Sequence, residues 1–372
     1  MTRNPQLSKI CLVTLSLGKG GAERSCALLS RMLEKQGHEV HTVILIDEID
    51  YEYAGKLFNL GKFKTKMDTL SQRLWRFKKL RKYLKENRFD VVIDHRPKND
   101  FPREVFYDKF IYRRIPRIYV IHSSLQKNYF TAKPGKMVDI YNKNLANVAV
   151  SMCIGNNMQN LGVKNIELVH NAVDPAWGKT KSEIPENLQN GNYLLWYGRI
   201  DNSVKDLSFL LESFQLSELW KTNIQLVIMG SGKDLQKTKQ EASLLDCREH
   251  IVFLPFTKNP FSIISSARAV VLTSKYEGFP MVLIESLSLG TPVVSLDIIS
   301  GPSEVIKNKK NGLLVAGRNS KNFANALRKI CFDEDLYQTC KSNAKNSVTD
   351  FSMENIGKKW NELLQTHLKA VK

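Results

Sequence analysis

Residues 276–285 have the sequence YEGFPMVLIE, which joins two carboxylates to the start of a buried helix. Pro280 suits the first position of a helix, because its φ is already helical and its missing N–H leaves no donor unpaired. The apolar run from Met281 to Leu289 predicts a helix that carries Glu285 about one and a half turns inside, and it leaves Glu277 in the preceding loop. Free amides and the positive end of the helix dipole at this helix start favour a phosphate or a developing negative charge.

The two carboxylates are expected to bind hydroxyls, because a carboxylate repels a phosphate. A nucleotide sugar offers a phosphate and several hydroxyls in one molecule. Taken alone, two glutamates at this spacing are weak evidence, since a capping acid and a solvated helix glutamate give the same pattern. The rest of the chain decides between these interpretations.

Other motifs follow in a fixed order along the chain. They are Gly20-Gly21-Ala22-Glu23-Arg24, Gly198-Arg199 with Lys205, Met229-Gly230-Ser231-Gly232, Glu277 to Glu285, and Gly290-Thr291-Pro292-Val293-Val294. This ordered set covers nearly the whole chain and resembles the retaining family-4 glycosyltransferases with their E-x7-E signature. The resemblance implies the α/β fold named GT-B, in which two Rossmann-like domains with parallel sheets face each other across a cleft.

The resemblance also implies a nucleotide-sugar site. Arg199 and Lys205 would neutralise the diphosphate and stabilise the charge that builds on it as the glycosidic bond breaks. Glu285 would accept hydrogen bonds from the ribose, and Glu277 would contact the transferred sugar. The segment Val252 to Phe256 is similar to the loop that holds the base, and uracil is the expected base. The other expected donor-binding residues are Gly20, Gly21, Gly198, Gly230, Phe256, Gly278, Phe279, Pro280 and Met281.

One spacing departs from the family. The lysine stands six residues after the arginine, where the commonest spacing is five, as if one residue were inserted within Asp201 to Val204. Lys205 remains the candidate because Asp206 to Phe214 continues as the expected helix. A surface lysine is the alternative.

His122 follows the predicted strand Ile118 to Ile121 and occupies the place of a family histidine near the reacting sugar. The expected catalytic set is His122, Arg199, Lys205 and Glu277. The resemblance implies attack and departure on the same face of the sugar, with the diphosphate oxygen as the base. His122 would orient the donor or polarise the approach of the acceptor, and a packed polar side chain is the alternative for this residue.

Neither a metal nor another cofactor is expected, because the resemblance gives the cationic pair the role of a metal ion. Asp333-Glu334-Asp335 has the D-x-D pattern of metal-dependent transferases with another fold. Here the pattern precedes Leu336-Tyr337-Gln338 and opens a predicted helix, where the dipole favours acids. We therefore interpret it as structural.

The length of 372 residues exceeds one compact core and indicates two domains. We expect an acceptor-binding domain over residues 1–170 and a nucleotide-sugar-binding domain over 171–352, with a last helix of about 353–372 packing back on the first. The predicted strands are Ile10–Leu15, Val40–Ile46, Val91–Ile93, Ile118–Ile121 and Asn147–Ser151, and in the second domain Tyr193–Tyr197, Ile224–Met229, Ile251–Leu254, Ala269–Leu272 and Pro292–Ser295. Helices are expected at Glu23 to Gln36 and from about Ser352 to Ala370.

The net charge of +18 is concentrated in the first half, where residues 1–173 contain 30 Lys and Arg against 16 Asp and Glu. Residues 62–88, the basic segment, contain eleven cations against Asp68 and Glu86. Apolar residues recur in it at helical spacing, and this stripe is expected to pack on the first domain. The outward cations would then meet an anionic membrane surface, each contributing roughly 1 kcal/mol. A merely solvated basic helix is the alternative.

The apolar stretches are too short to span a membrane and the N-terminus is polar, so a cytoplasmic protein, peripheral on the inner membrane face, is expected. The six cysteines lack a C-x-x-C pair and are interpreted as reduced and structural. Transfer of a hexose or N-acetylhexosamine to a lipid-linked or lipopolysaccharide-type glycan is the expected function.

Four other functions compete with this prediction. A nucleic-acid-binding protein would explain the charge but would not require Glu277 and Glu285, so nucleic acid is not an expected partner. A sugar-nucleotide epimerase or a phosphorylase of the same fold is the second alternative. A dehydrogenase is disfavoured, because Glu23 stands where the third glycine of G-x-G-x-x-G belongs.

Overall fold

The computed structural model describes residues 7–65, 67–131, 134–179 and 183–369. The chain divides into two compact units. Unit 1 contains the residues up to Ala172 together with those from Met353 onward, and unit 2 contains Val173–Ser352. Each unit is built around one parallel β-sheet.

Unit 1 has a seven-stranded sheet. Its strands are β1 (Lys9–Thr14), β2 (Glu39–Ile44), β3 (Lys56–Asn59), β4 (Val91–Asp94), β5 (Arg117–Ile121), β6 (Ala146–Ala149) and β7 (Ile166–Leu168). They lie in the order β3-β2-β1-β4-β5-β6-β7, and each pair is parallel. The inner strands β1, β4, β5 and β6 are buried along nearly their whole length, as expected for a parallel sheet covered on both faces.

Helices connect these strands. They are α1 (Gly21–Lys35), α2 (Leu70–Asn87), α3 (Phe101–Phe106), α4 (Pro134–Tyr141) and α5 (Met152–Asn160), with a π-helical turn at Tyr107–Tyr112. Helix α1 is followed by Gly37, whose φ of +92° is a conformation that favours glycine. Helix α2 begins with a capping box in which the side chains of Thr69 and Gln72 each accept a hydrogen bond from the other residue's backbone N–H.

Unit 2 has a six-stranded sheet. Its strands are β8 (Tyr193–Arg199), β9 (Gln225–Ser231), β10 (Ile251–Leu254), β11 (Ala269–Leu272), β12 (Val293–Asp297) and β13 (Gly312–Ala316). Its helices are α6 (Asn202–Lys205), α7 (Leu207–Ser217), α8 (Leu235–Ser243), α9 (Phe261–Ser266), α10 (Met281–Ser288), α11 (Pro302–Val305), α12 (Ser320–Phe332) and α13 (Glu334–Ala344). The strand order is β10-β9-β8-β11-β12-β13. Trp196, Phe214 and Phe323 are among the large side chains of its core.

The last helix, α14 (Met353–Lys369), belongs to unit 1. It lies against α1. The side chain of His38, which follows α1, meets Asn361, and His367 pairs with Glu167 at 2.9 Å. The predicted end of this helix at Ala370 lies outside the described residues. Asp333 accepts a hydrogen bond from the N–H of Leu336 and caps α13, so the D-x-D pattern opens a helix as predicted.

The basic segment differs from the prediction. The helix begins at Leu70, and only the later part of the apolar stripe is buried, at Leu80 and Leu84. Met67, Leu70, Leu74 and Trp75 are between 45% and 80% exposed, so the expectation that the whole stripe packs on the first domain is wrong. The predicted cation Lys66 lies outside the described residues.

Among the described residues, every helix is too short or too polar to cross a bilayer. The cysteines are thiols, four of them buried, and burial raises the pKa of Cys247 and Cys340 to about 11. These thiols therefore stay protonated at neutral pH, in agreement with a structural role.

Candidate active site

The carboxyl ends of the strands of unit 2 gather the residues predicted for the donor site in that half. Arg199 is the last residue of β8, and Lys205 ends the short helix α6 that follows. Glu277 lies in the loop after β11, and Glu285 lies in α10. Because β8 and β11 are parallel neighbours, the loops after them leave the same edge of the sheet.

Lys205 and Glu277 form an ion pair at this edge. The Nζ atom of Lys205 lies 2.5 Å from Oε1 of Glu277, and the Ser274 hydroxyl donates to the same oxygen at 2.6 Å. The two charged side chains are only 19% and 12% exposed. The hydroxyl of Ser300 also donates to the backbone carbonyl of Glu277. Two residues predicted for catalysis are thus brought into direct contact.

The turn that carries Lys205 is held to the end of β11. The Thr273 hydroxyl donates to the carbonyl of Lys205 at 3.0 Å, and the N–H of Lys275 donates to the carbonyl of Val204 at 2.8 Å. Asp206 follows with φ +51°, which ends α6 and starts α7 in a new direction. Lys205 therefore lies at the end of a single helical turn, six residues after Arg199.

Arg318 fixes this turn from the other side. Its Nη1 donates to the Asp206 carboxylate at 2.7 Å and to the carbonyl of Thr273 at 3.0 Å, while Nη2 donates to the carbonyl of Ser274 at 2.7 Å. One guanidinium therefore joins the residue after Lys205 to the residue that contacts Glu277. No sequence motif marks Arg318, because its partners lie 44 to 112 positions away in the chain.

Helix α10 begins at Met281, one residue later than predicted. Pro280 has ψ +97°, so it is the N-cap and not the first helical residue, although its carbonyl accepts the N–H of Leu283 at 3.0 Å. Its ring packs against Gly301, where a Cβ atom would lie 2.4 Å from the proline Cδ. Gly278 and Phe279 are buried, and Phe279 packs edge-on against Phe351.

Glu285 is nearly inaccessible, with 2% exposure. The hydroxyl of Tyr197 donates to its Oε2 at 2.9 Å and also lies 3.0 Å from the carbonyl of Val282. Tyr197 lies on β8, two residues before Arg199. The carboxylate is therefore anchored to the strand that also ends in the predicted diphosphate-binding arginine.

Arg199 is exposed at the end of β8. Burial opposes ionisation of Asp201, but hydrogen bonds from Ser203 and Lys233 together with the charge of Arg199 hold the pKa of that carboxyl below its usual range. A cationic neighbourhood therefore exists around Arg199 and Lys233, which suits an anionic ligand.

Gly198 and Gly230 face each other across β8 and β9. A Cβ atom on Gly230, whose φ is +152°, would lie 2.0 Å from the carbonyl oxygen of Gly198. Glycine is thus required for these two strands to approach. Phe256 follows β10 at the same edge of the sheet and is 36% exposed.

The remaining predicted residues lie in unit 1. Gly20 is the N-cap of α1 and Gly21 is its first residue, directly after β1 and its turn. His122 follows β5, and its backbone N–H donates to the hydroxyl of Tyr129 at 3.0 Å.

A buried charged cluster, not among the residues predicted from the sequence, lies beside His122. Asp94, at the end of β4, binds Arg96 at 2.7 Å, Lys98 at 3.1 Å and the Tyr112 hydroxyl at 2.8 Å. Glu104 binds the same arginine at 3.2 Å, and all four charged side chains are essentially inaccessible. Burial lowers the pKa of Lys98 to about 8 although Asp94 opposes the shift. The sequence does contain a signal for this cluster, because the charged stretch Asp94-His95-Arg96-Pro97-Lys98 directly follows the predicted strand Val91–Ile93.

A cavity of about 280 Å³ lies next to His122 in unit 1. Its lining includes Ile121 and Ser123, the sequence neighbours of His122, and further residues such as Tyr129, Asn157 and Asn160. The described residues that line it are all uncharged, although this half of the chain is strongly basic. Amide, hydroxyl and aromatic groups of this kind suit a neutral sugar better than a phosphate.

Two protein families match adjoining segments of the chain. Residues 19–177 match the family described as Glycosyltransferase Family 4, and residues 179–347 match the family described as Glycosyl transferases group 1. The chain is 25% identical over 368 residues to a Campylobacter jejuni enzyme, GalNAc-alpha-(1->4)-GalNAc-alpha-(1->3)-diNAcBac-PP-undecaprenol alpha-1,4-N-acetyl-D-galactosaminyltransferase, with 96% of this chain and 98% of the relative covered. It is 30% identical over 197 residues to the lipopolysaccharide 1,6-galactosyltransferase of Escherichia coli, covering 50% of this chain and 52% of the relative.

A solved structure has a similar fold. HepE of Anabaena, determined in complex with UDP and glucose, superposes with a TM-score of 0.78 and 18% identity over 96% of this chain and 100% of that chain. Two Rossmann-like units with parallel sheets of seven and six strands, together with these matches, define a glycosyltransferase of the GT-B class. The chain belongs to glycosyltransferase family 4, as the sequence resemblance predicted.

Proposed function

We propose that this glycosyltransferase moves a hexose or N-acetylhexosamine from a UDP-sugar to a lipid-linked or lipopolysaccharide-type glycan, with retention of configuration and without a metal ion. Unit 2 would bind the donor and unit 1 the acceptor. The observation that carries the proposal is the largely buried pair of Lys205 and Glu277 beside the N-terminus of α10. A cation, a carboxylate and a helix start at one strand edge match the charges and hydroxyls of a nucleotide sugar.

The chemistry follows from where charge develops. As the glycosidic bond breaks, negative charge grows on the departing diphosphate, and the ammonium of Lys205 and the guanidinium of Arg199 stabilise it more than the ground state. A diphosphate oxygen takes the proton of the acceptor hydroxyl, which attacks from the side that the diphosphate leaves. Glu277 holds the sugar and keeps Lys205 in place before the donor arrives.

The nucleoside is held further along α10, at Glu285. Glu285 accepts hydrogen bonds from the ribose, and its anchoring by Tyr197 sets the direction of the carboxylate. The segment that contains Phe256 contacts the base. Because Glu285 is 2% exposed, donor binding has to open a path to it, which we expect to involve side-chain rearrangement at Tyr197.

A screen of UDP-sugars for slow hydrolysis in the absence of an acceptor tests the donor site. We expect one UDP-sugar to release UDP, and the activity to disappear in Glu285→Ala. Glu212→Ala is the matched control, because this exposed glutamate of α7 bonds Ser320 away from the strand edge. Equal loss in both variants, or activity without preference for any UDP-sugar, would contradict the assignment.

The acceptor proposal is supported by the relatives and by unit 1. The Campylobacter jejuni and Escherichia coli relatives are named for undecaprenol-linked and lipopolysaccharide glycans. The cavity beside His122, whose described lining is uncharged, suits a sugar ring. Product analysis by NMR, with an α-glycosidic signal from an α-linked donor, would test retention.

We further propose that the basic segment holds the protein on an anionic membrane face. Exposed cations and exposed apolar side chains occur together there, at Lys62, Lys64, Arg73, Lys78, Arg81, Lys82, Lys85 and Arg88, and at Met67, Leu70, Leu74 and Trp75. The cations attract the headgroups, at roughly 1 kcal/mol each, and the apolar side chains add a contribution that salt does not screen.

Sedimentation with anionic vesicles tests this surface. Binding should weaken at high salt but persist in part, and Leu70→Ser with Trp75→Ser should remove the salt-resistant part. Charge reversal at Lys82 and Lys85 should weaken binding at low salt and leave the salt-resistant part, whereas reversal at the exposed Lys309 and Lys310 of unit 2 is the control. Wild-type binding that is absent at low salt would refute the proposal.

A further inference from the structure

Two histidines meet at the carboxyl edge of the sheet of unit 1. His95 directly follows β4 and His122 directly follows β5, and these parallel strands are neighbours. Nδ1 of His95 and Nε2 of His122 lie 2.9 Å apart. The sheet topology therefore builds a hydrogen-bonded pair from residues 27 positions apart.

Both rings are neutral. Burial lowers the pKa of His95 to about 3, with Asp94 opposing and Lys98 assisting the shift. Burial likewise lowers the pKa of His122 well below its usual range, assisted by His95 and Lys98. Each ring thus carries one N–H and one lone pair.

Neutrality couples the two tautomers. The contact needs one N–H and one lone pair, so donation by Nδ1 of His95 leaves the proton of His122 on its own Nδ1. Donation by Nε2 of His122 leaves a proton on Nε2 of His95. Both outer nitrogens, Nε2 of His95 and Nδ1 of His122, are buried and have no hydrogen-bond partner among the described residues.

The deeper ring decides which arrangement is preferred. His95 is 2% exposed, and an orphaned N–H at such a depth is rarer than an orphaned acceptor. The first arrangement places a lone pair there and leaves the unpaired N–H on His122, the less buried of the two. That N–H is itself covered in this structure, so a ligand oxygen would accept from it once the side chains over Nδ1 of His122 move aside.

We propose that His95 is a positioning residue that holds His122 as the Nδ1–H tautomer, ready to donate to a substrate oxygen. The inference rests on the proposed glycosyltransferase function of the same site. Tyr129 holds the backbone of His122 and His95 holds its ring, so the side chain is fixed at both ends. Pre-organisation of this kind matters because a displacement of about 1 Å of a reacting group can lower a rate about 100-fold.

The experiment combines two variants with two readouts. His95→Asn keeps an amide near the place of Nδ1 that can donate to His122, whereas His95→Leu removes the donor. For hydrolysis of the UDP-sugar identified in the screen, His95→Leu should lower kcat about tenfold with an unchanged KM, and His95→Asn should restore most of it. His41→Asn is the control, because His41 is a buried histidine of the same unit bonded to Tyr83.

The second readout is the ¹⁵N spectrum of histidine-labelled full-length protein, with His122 assigned by its loss in His122→Asn. The wild type should show His122 protonated on Nδ1, and His95→Leu should shift it to a tautomer mixture. Protonation on Nε2 in the wild type, or equal kcat in His95→Leu and His95→Asn, would overturn the inference. The spectrum needs no turnover, so a missing activity would count against the proposed function alone.

Discussion

Replacement of Arg318 by alanine should lower the activity that depends on Lys205, because Arg318 holds the turn that carries this lysine. The guanidinium of Arg318 bonds the Asp206 carboxylate and the carbonyls of Thr273 and Ser274, and so holds the turn of Lys205 to the end of β11. Without it, Asp206 keeps Lys275 at 3.8 Å as a charged neighbour. The turn would then be held mainly by the hydrogen bonds of Thr273 and Lys275.

The expected loss of stability follows from the three hydrogen bonds that Arg318 donates. A hydrogen bond from a charged donor contributes about 1.5–3 kcal/mol when buried, and the Arg318 side chain is 33% exposed. With solvent screening we expect the free energy of unfolding of unit 2 to fall by about 2–3 kcal/mol. Displacement of the ammonium by about 1 Å would lower kcat by about 10- to 100-fold, with a smaller change in the donor KM.

UDP release and urea unfolding measure the two effects. Arg318→Lys should recover the charge but not the forked geometry, and so only part of the rate. Arg328→Ala is the matched control, because Arg328 of α12 also bonds a backbone carbonyl, that of Ser217, and belongs to the same unit. A wild-type kcat in Arg318→Ala, or an equal loss of kcat in Arg328→Ala, would refute the reasoning.

Three further predictions concern single residues. Glu285→Gln should raise the donor KM by about 10- to 100-fold with less effect on kcat, because the ribose contacts exist in the ground state as well; an unchanged KM in UDP-sugar kinetics would count against them. Gly230→Ala should lower the free energy of unfolding of unit 2 by more than about 2 kcal/mol, because the new Cβ atom would clash with the Gly198 carbonyl. Gly317→Ala is the control: Gly317 has φ +70° and open space around it, so the loss in urea unfolding should be only about 1 kcal/mol. The pKa of His95 is lower in the folded than in the unfolded protein, so its contribution to stability is present above about pH 6.5 and is lost as the pH falls toward 3. From pH 7 to pH 5 the free energy of unfolding should fall by about 2 kcal/mol more in the wild type than in His95→Asn. Equal losses would show that His95 is not buried as a neutral ring.

The fold followed from the alternation of buried strands and helices. The strands β10 and β11 were predicted with their observed bounds, Ile251–Leu254 and Ala269–Leu272, and the family resemblance supplied the GT-B arrangement. The strands β3, β7 and β13 were missed. All three lie at sheet edges, where side chains are partly exposed and the apolar run that marks a central strand is short.

Local signals predicted the site residues but not their partners. The positions of Glu277, Glu285 and Lys205 came from motifs within one loop or helix. Their observed partners lie elsewhere: Tyr197 reaches Glu285 from β8, and Arg318 reaches Asp206 across 112 positions. Such contacts depend on strand order, which a single sequence does not display. The exposed part of the basic segment was missed for a related reason, since a periodic stripe does not show whether a partner surface exists.

The most direct test of the donor site measures UDP release from the preferred UDP-sugar in the presence of a chelator, for the wild type and for Lys205→Met. We expect the wild-type rate to be unaffected by the chelator and the variant to lose about 100- to 1,000-fold in kcat, because the cation that stabilises the leaving diphosphate is gone. A wild-type activity that disappears with the chelator and returns with manganese, or a variant with the wild-type rate, would contradict the account.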